Sequence, residues 1–275
     1  PDPAAARRTA EGFWELYRRL GDDMPRDVRE APYRERMRKA YPFHPELIDL
    51  LYERWSTYPT FQRTRGVLHL LAEVVADRYK REHPAPLILP AHLNLLNPQI
   101  RSKFIKHIGN EFEGVIASDI AGPNAKAPQI DQGMGSEYAR FGIASGLATT
   151  VFFGSFSGGE KKGVGIQRLR LALLREGIPP AIVADALRRM EEELWYLHVE
   201  GGVYSFSNQP NLNRIIIEKE EVVKDELIDE QIRARLEKAA GTEFQVILWP
   251  RESQDVPDSR ALKLAILALA YTRQA

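Results

Sequence analysis

Apolar residues recur every three or four positions through the first eighty residues, which predicts a series of helices. Residues 4–20 place Phe13, Leu16, Tyr17 and Leu20 on one helical face, and Gly21-Asp22-Asp23 closes the run. A basic helix is expected around residues 33–39. His44 then reads as the cap of the next helix, with Pro45 at its first position, where a missing N–H costs nothing. Leu47, Leu50, Leu51 and Trp55 form that helix's apolar stripe, and Tyr58-Pro59 stops it. From about residue 64 to residue 80 the stripe widens to Val67, Leu68, Leu70, Leu71, Val74 and Val75, which predicts packing on two sides. His83-Pro84-Ala85-Pro86 reads as a rigid linker.

The pattern weakens over residues 87–135. Asn97-Pro98 is a cap and first turn leading into Ile100, Phe104, Ile105 and Ile108, and residues 122–135, rich in glycine and proline, are expected to be an exposed connection. Residues 138–153 predict an apolar helix and residues 154–165 a glycine-rich loop. Short and longer helices follow at 166–174 and 180–194, separated by Arg175-Glu176-Gly177-Ile178-Pro179. Two β-rich runs, 195–199 and 203–206, flank Glu200-Gly201-Gly202, a hairpin turn requiring positive φ. Helix, helix, glycine turn, helix, hairpin is the order of a winged helix-turn-helix. Beyond it, residues 225–240 predict a charged helix, 244–249 a strand, and 262 onward a buried strand or a helix that opens an incomplete α/β domain.

The expected fold is therefore mainly α (α+β). A helical bundle over 1–83 is followed by a helix-and-loop linker region over 84–136, a winged-helix domain over 137–222 and the start of an α/β domain over 223–275.

Charge and composition narrow the chemistry. Lys+Arg and Asp+Glu both number 38, so no bulk basic excess drives non-specific nucleic-acid binding. There is no cysteine, which removes disulfides, thiol nucleophiles and Cys-ligated zinc. No stretch approaches the roughly twenty apolar residues of a membrane span, so a cytoplasmic protein without a membrane partner is expected. The first residues lack an initiator Met and the last run is apolar, so both ends are expected to be cuts in a longer polypeptide.

Catalytic motifs are not found. Histidines 44, 69, 83, 92, 107 and 198 form no metal-gripping i, i+4 pair and are read as core, cap or surface residues. Phe156-Ser157-Gly158-Gly159-Glu160 resembles the signature loop of ABC transporters, but no Gly-x-x-x-x-Gly-Lys-Ser/Thr loop accompanies it. No catalytic or metal-binding residue, and no cofactor for this chain alone, is expected. The 180–194 helix carries Asp185, Glu191, Glu192 and Glu193 against Arg188 and Arg189, a poor match to phosphate. If nucleic acid binds this block, the candidates are Lys161, Lys162, Arg168, Arg170 and Arg214. Arg63 and Arg65 sit at the start of an apolar helix, where the helix dipole disfavours cations. A surface salt bridge is one reading of them; an arginine aimed at a nucleotide's phosphates is the other.

Tyr41-Pro42-Phe43-His44-Pro45-Glu46-Leu47 followed by Phe61-Gln62-Arg63-Thr64-Arg65-Gly66 resembles the large predicted AAA+-type ATPases that carry a domain of unknown function, number 499. Leu194-Trp195-Tyr196-Leu197-His198 and Pro210-Asn211-Leu212-Asn213-Arg214 are similar to the same family. The resemblance implies that the bundle is an AAA+ lid whose sensor-2 arginine is Arg65, with Arg63 second. It also implies an upstream nucleotide-binding core that uses ATP and Mg and hints at DNA-linked or defence work; a homo-oligomer of the full-length protein is left open by the sequence. On this reading the chain is no enzyme by itself. It is a regulatory region that senses nucleotide and relays motion through the winged helix; the alternative is a DNA-binding module.

Overall fold

The computed structural model describes residues 2–58, 61, 63–82, 85–157, 163–268 and 271, residues 63 and 137 by backbone alone. The chain is mainly helical with two small sheets, and divides into Pro1–Ile215 and Ile216–Ala275.

In the first unit, α1 (Pro3–Leu20) is capped by Asp2 and buries Ala6, Ala10, Phe13, Leu16 and Tyr17 against α2 (Ala31–Ala40), which contributes Tyr33 and Met37. Next, α3 (Pro45–Asp49) starts as the sequence predicts, with Pro45 in its first turn and the His44 Nδ1 accepting from Glu46 N at 3.1 Å. It does not continue as an α-helix. Leu50–Arg54 widens into a π turn and Trp55–Thr57 tightens into a 3-10 turn. The reason lies in the spacing of Leu47, Leu51 and Trp55. All three are fully buried at strict four-residue intervals, and a wider turn keeps them on one face where an α-helix would drift.

The long helix α4 (Arg63–Lys80) buries Val67, Leu70, Leu71 and Val74 but leaves Leu68 and Val75 exposed. Packing on two sides is therefore not what this helix does; a single face carries the contact. Gly66 lies so close to the preceding chain that a Cβ there would stand 1.8 Å from the Phe61 carbonyl oxygen. The predicted linker begins at His83 and Pro84, which lie outside the described residues, and Ile88 pairs back on Phe43.

After it comes α5 (Pro98–Ile108), capped by the Asn97 side chain as expected. A short helix α6 (Phe112–Val115) runs into a π turn over Ile116–Ile120. Residues 122–135 are not an exposed connection. They contain α7 (Lys126–Gly133), with Ala127, Ile130 and Asp131 buried; its Pro128 is tolerated because first-turn N–H groups have no helical acceptor. The single apolar helix expected over 138–153 is broken at Gly142, whose φ of 59° separates α8 (Ser136–Ala139) from α9 (Ile143–Gly154).

Nearly every side chain of α9 is buried, which makes it the axis of the unit. Phe153 lies 4.3 Å from Phe104 between ring centroids, and Phe104 lies 4.4 Å from Trp55, whose indole N–H donates to the Phe153 carbonyl. The hydrophobic core thus runs without interruption from Ala10 to Phe206, and the expected boundaries near 83 and 136 fall inside this unit.

Around α9 stand β1 (Val164–Gly165), α10 (Ile166–Leu173), α11 (Pro180–Glu193), β2 (Leu197–Glu200) and β3 (Val203–Phe206). The sheet is antiparallel in the order β1-β3-β2, with Glu200 opposite Val203 across a turn of Gly201 and Gly202, both at positive φ. Arg54 reaches the two ends of the preceding glycine-rich segment, donating to the carbonyls of Gly154 at 3.1 Å and Gly163 at 3.0 Å, while Gly163 N donates to Gly154 O at 2.9 Å.

The unit boundary falls within α12 (Leu212–Val222). In the second unit α13 (Asp225–Ala240) precedes two parallel strands, β4 (Gln245–Leu248) and β5 (Lys263–Ile266). The last element is a strand, yet not a buried one, because Leu264 keeps 37% of its surface exposed.

Candidate anion-binding site

Arg65, on the first turn of α4, is exposed and forms no ion pair among the described residues. It lines a cavity of about 320 Å³ with Phe61, Gly66, His69, Lys103, Lys106 and His107. The geometry follows from helical spacing. Arg65 and His69 are one turn apart on α4, while Lys103, Lys106 and His107 share a face of α5, which packs against it. Phe104 and Ile105, between them in sequence, turn inward to the core. Phe61 forms an apolar wall, its ring 5.4 Å from the His107 imidazole. Lys103 Nζ donates to His69 Nδ1 at 2.5 Å, and burial together with nearby Lys106 pushes the His107 pKa down. Among the described residues that line the cavity there is no carboxylate.

The other predicted contacts are placed differently. The Arg63 side chain, Lys161 and Lys162 lie outside the described residues. Arg168, on α10, pairs with Glu46 at 3.0 Å and Asp27 at 3.3 Å. Arg170 pairs with Asp23 at 2.6 Å, and Arg214 lies over the Trp195 ring, 5.0 Å from its centroid. Arg188 and Arg189 of α11 are held by Asp185 and Glu192 of the same helix. The basic residues of α10 and α11 are thus directed to the protein's own carboxylates.

Three acids with raised pKa values, largely or fully covered, went unremarked in the sequence. Glu46 sits among Arg168, Asp27 and Asp49, and burial lifts its pKa to about 7 although Arg168 opposes the shift. Asp131 caps α9 from a distance, accepting from Ala144 N at 2.7 Å and Ser145 N at 3.0 Å, and burial raises it. Asp119 accepts from the backbone of Trp195 and Tyr196, and burial pushes it up to about 6. Each serves the fold by satisfying donors that would otherwise be orphaned.

Sequence comparison adds the family. The profile of the DUF499 second domain matches residues 15–165, more than half of the chain. The chain belongs to the DUF499 family. The matched DUF499 segment contains both walls of the basic cavity, α4 and α5, as well as α9. It stops at the start of α10, so α11 and the β2–β3 hairpin lie beyond the DUF499 match. No curated protein and no solved structure matches this DUF499 chain. Among the described residues no helix is long and apolar enough to cross a membrane.

Proposed function

We propose that this chain is a non-catalytic regulatory region of a larger AAA+-type ATPase, in which Arg65 reads the phosphates of a nucleotide held by an upstream core. The observation that carries the reading is an exposed arginine, without a carboxylate partner among the described residues, on the wall of a cavity whose described charged residues are all basic. A guanidinium placed where the helix dipole disfavours it has a reason to be there if an anion arrives. ATP and Mg would belong to the core, and the helical bundle would act as a lid whose position depends on phosphate contact.

In the same reading, α9, α10, α11 and the β2–β3 hairpin form a winged helix-turn-helix that receives the motion. Support for docking to protein, in preference to DNA, comes from the arginines of α10 and α11, which are engaged by carboxylates. The test is ATP turnover by the full-length polypeptide. Arg65→Ala is expected to lower turnover or nucleotide affinity about tenfold, the scale of a lost charge-assisted hydrogen bond, with Arg65→Lys retaining part of it. Unchanged turnover and affinity would remove Arg65 from the role.

A further inference from the structure

The two walls of the basic cavity are unequal in the reading above, which uses only Arg65. The α5 wall supplies Lys103, Lys106 and His107, three of the five basic side chains among the cavity's described lining residues. These residues are not accounted for by any lid arginine, and their neighbours set them apart from ordinary surface lysines. Arg168, Arg188 and Arg36 each face carboxylates: Asp27 and Glu46, Asp185 and Glu192, and Asp49 in turn. At the cavity Lys103 has a different neighbour. The amine of Lys103 points at an imidazole, and the described lining residues include no carboxylate to offset it. Like charges gathered on a concave wall raise the local potential, and only an anion from outside relieves them.

The dimensions suit a small polyanion. At about 320 Å³ the cavity lies at the low end of small-molecule sites. Phe61 and Gly66 give one side without polar side chains, where a bulkier ligand's base or a phosphate's ester oxygen can lie. Two ammonium groups and a guanidinium lead the donor set, a combination that suits several oxyanions in a row better than one carboxylate. Two helices contribute, so a ligand that spans them ties α4 to α5.

We infer that Lys103 and Lys106 on α5, facing Arg65 and His69 on α4, form a binding site for a polyphosphate chain, either the tail of a nucleoside triphosphate or a bare polyphosphate. The inference deepens the proposed nucleotide-sensing role and rests on it only for the choice of a nucleotide as one source of the phosphates. Because α5 also carries Phe104, wedged between Trp55 and Phe153, a ligand held by Lys103 and Lys106 is one side-chain layer from α9.

Calorimetric titration of the 275-residue chain with inorganic tripolyphosphate, ATP and adenosine tests this. Tripolyphosphate and ATP are expected to bind and adenosine not to. Lys103→Gln and Lys106→Gln should each weaken binding about tenfold, with their melting temperatures confirming the fold, whereas Lys80→Gln at the far end of α4 should leave it unchanged. ATP binding tighter than tripolyphosphate identifies the nucleotide as the source; equal affinities identify the bare polyphosphate. Absence of binding, or an equal loss in Lys80→Gln, overturns the site. If Arg65→Ala abolishes binding while both α5 variants bind normally, the α5 site fails and the Arg65 reading survives. The opposite pattern leaves the α5 site standing and removes Arg65.

Discussion

Glu46 shows how a single side chain couples the first unit to solvent acidity. It sits in the first turn of α3 with its side chain 16% exposed, and accepts from Arg168 on α10. Burial, the largest influence, raises its folded pKa to about 7 from a usual value near 4.5. The native protein therefore holds a proton that the unfolded chain releases, so this contribution is full below about pH 4.5 and is lost as pH rises through 7. The loss is on the order of 3 kcal/mol, for a pKa raised from 4.5 to about 7. Urea unfolding between pH 5 and 8 should show stability falling across that range in the wild type. Glu46→Gln, which cannot titrate, should make the slope shallower, whatever its absolute stability, leaving the part that Asp119 contributes with its own pKa raised to about 6. An unaltered slope would mean that another group titrates there. His44 next to it is fully buried and kept neutral, its pKa pushed down to about 3 chiefly by burial. Its cap was legible in the sequence because capping is a matter of adjacent residues. The environment of Glu46 was not, since Arg168 and Asp27 come from segments 122 and 19 positions away.

Among the elements, those defined by their own ends were the readable ones. The α5 cap, the Gly201-Gly202 hairpin and the 225–240 helix stand where local chemistry puts them. What fails depends on partners: α7 reads as part of a loop because Gly122, Pro123, Pro128, Gly133 and Gly135 look like breakers, although Ala127 and Ile130 are buried. Likewise the basic cavity needs α4 and α5 to meet face to face. Spacing alone shows that Arg65 and His69 share a face, and that Lys103, Lys106 and His107 do, but not that the two faces converge. Gly66 brings α4 down onto Phe61, and its replacement tests how tightly. Gly66→Ala sets a methyl group against an immovable backbone oxygen and should cost about 1–3 kcal/mol in chemical denaturation. Gly12→Ala in α1, where a methyl meets open space, should be neutral or stabilising by up to about 1 kcal/mol. Equal effects of the two would show that contact with Phe61 is not what fixes the glycine.

At the scale of the whole molecule, stability is concentrated before residue 207. Every fully covered side chain among the described residues lies at or before Phe206, and the second unit has none. A chain ending after residue 222, at the close of α12, should therefore melt within a few degrees of the 275-residue form and keep a single cooperative transition. A fall of ten degrees or more would show that the second unit supports the first. The feature with the widest practical consequence is Arg54, whose guanidinium joins the carbonyls of Gly154 and Gly163. Because Arg54 and the Gly163 N–H hold the two stems together, a flexible insert between them adds ring-closure entropy that grows by only about 0.6 kcal/mol for each doubling of its length. An epitope or reporter peptide inserted between Gly154 and Gly163 is therefore expected to leave the melting temperature within a few degrees of the parent; a larger loss would show that the stems do not hold without their native connection.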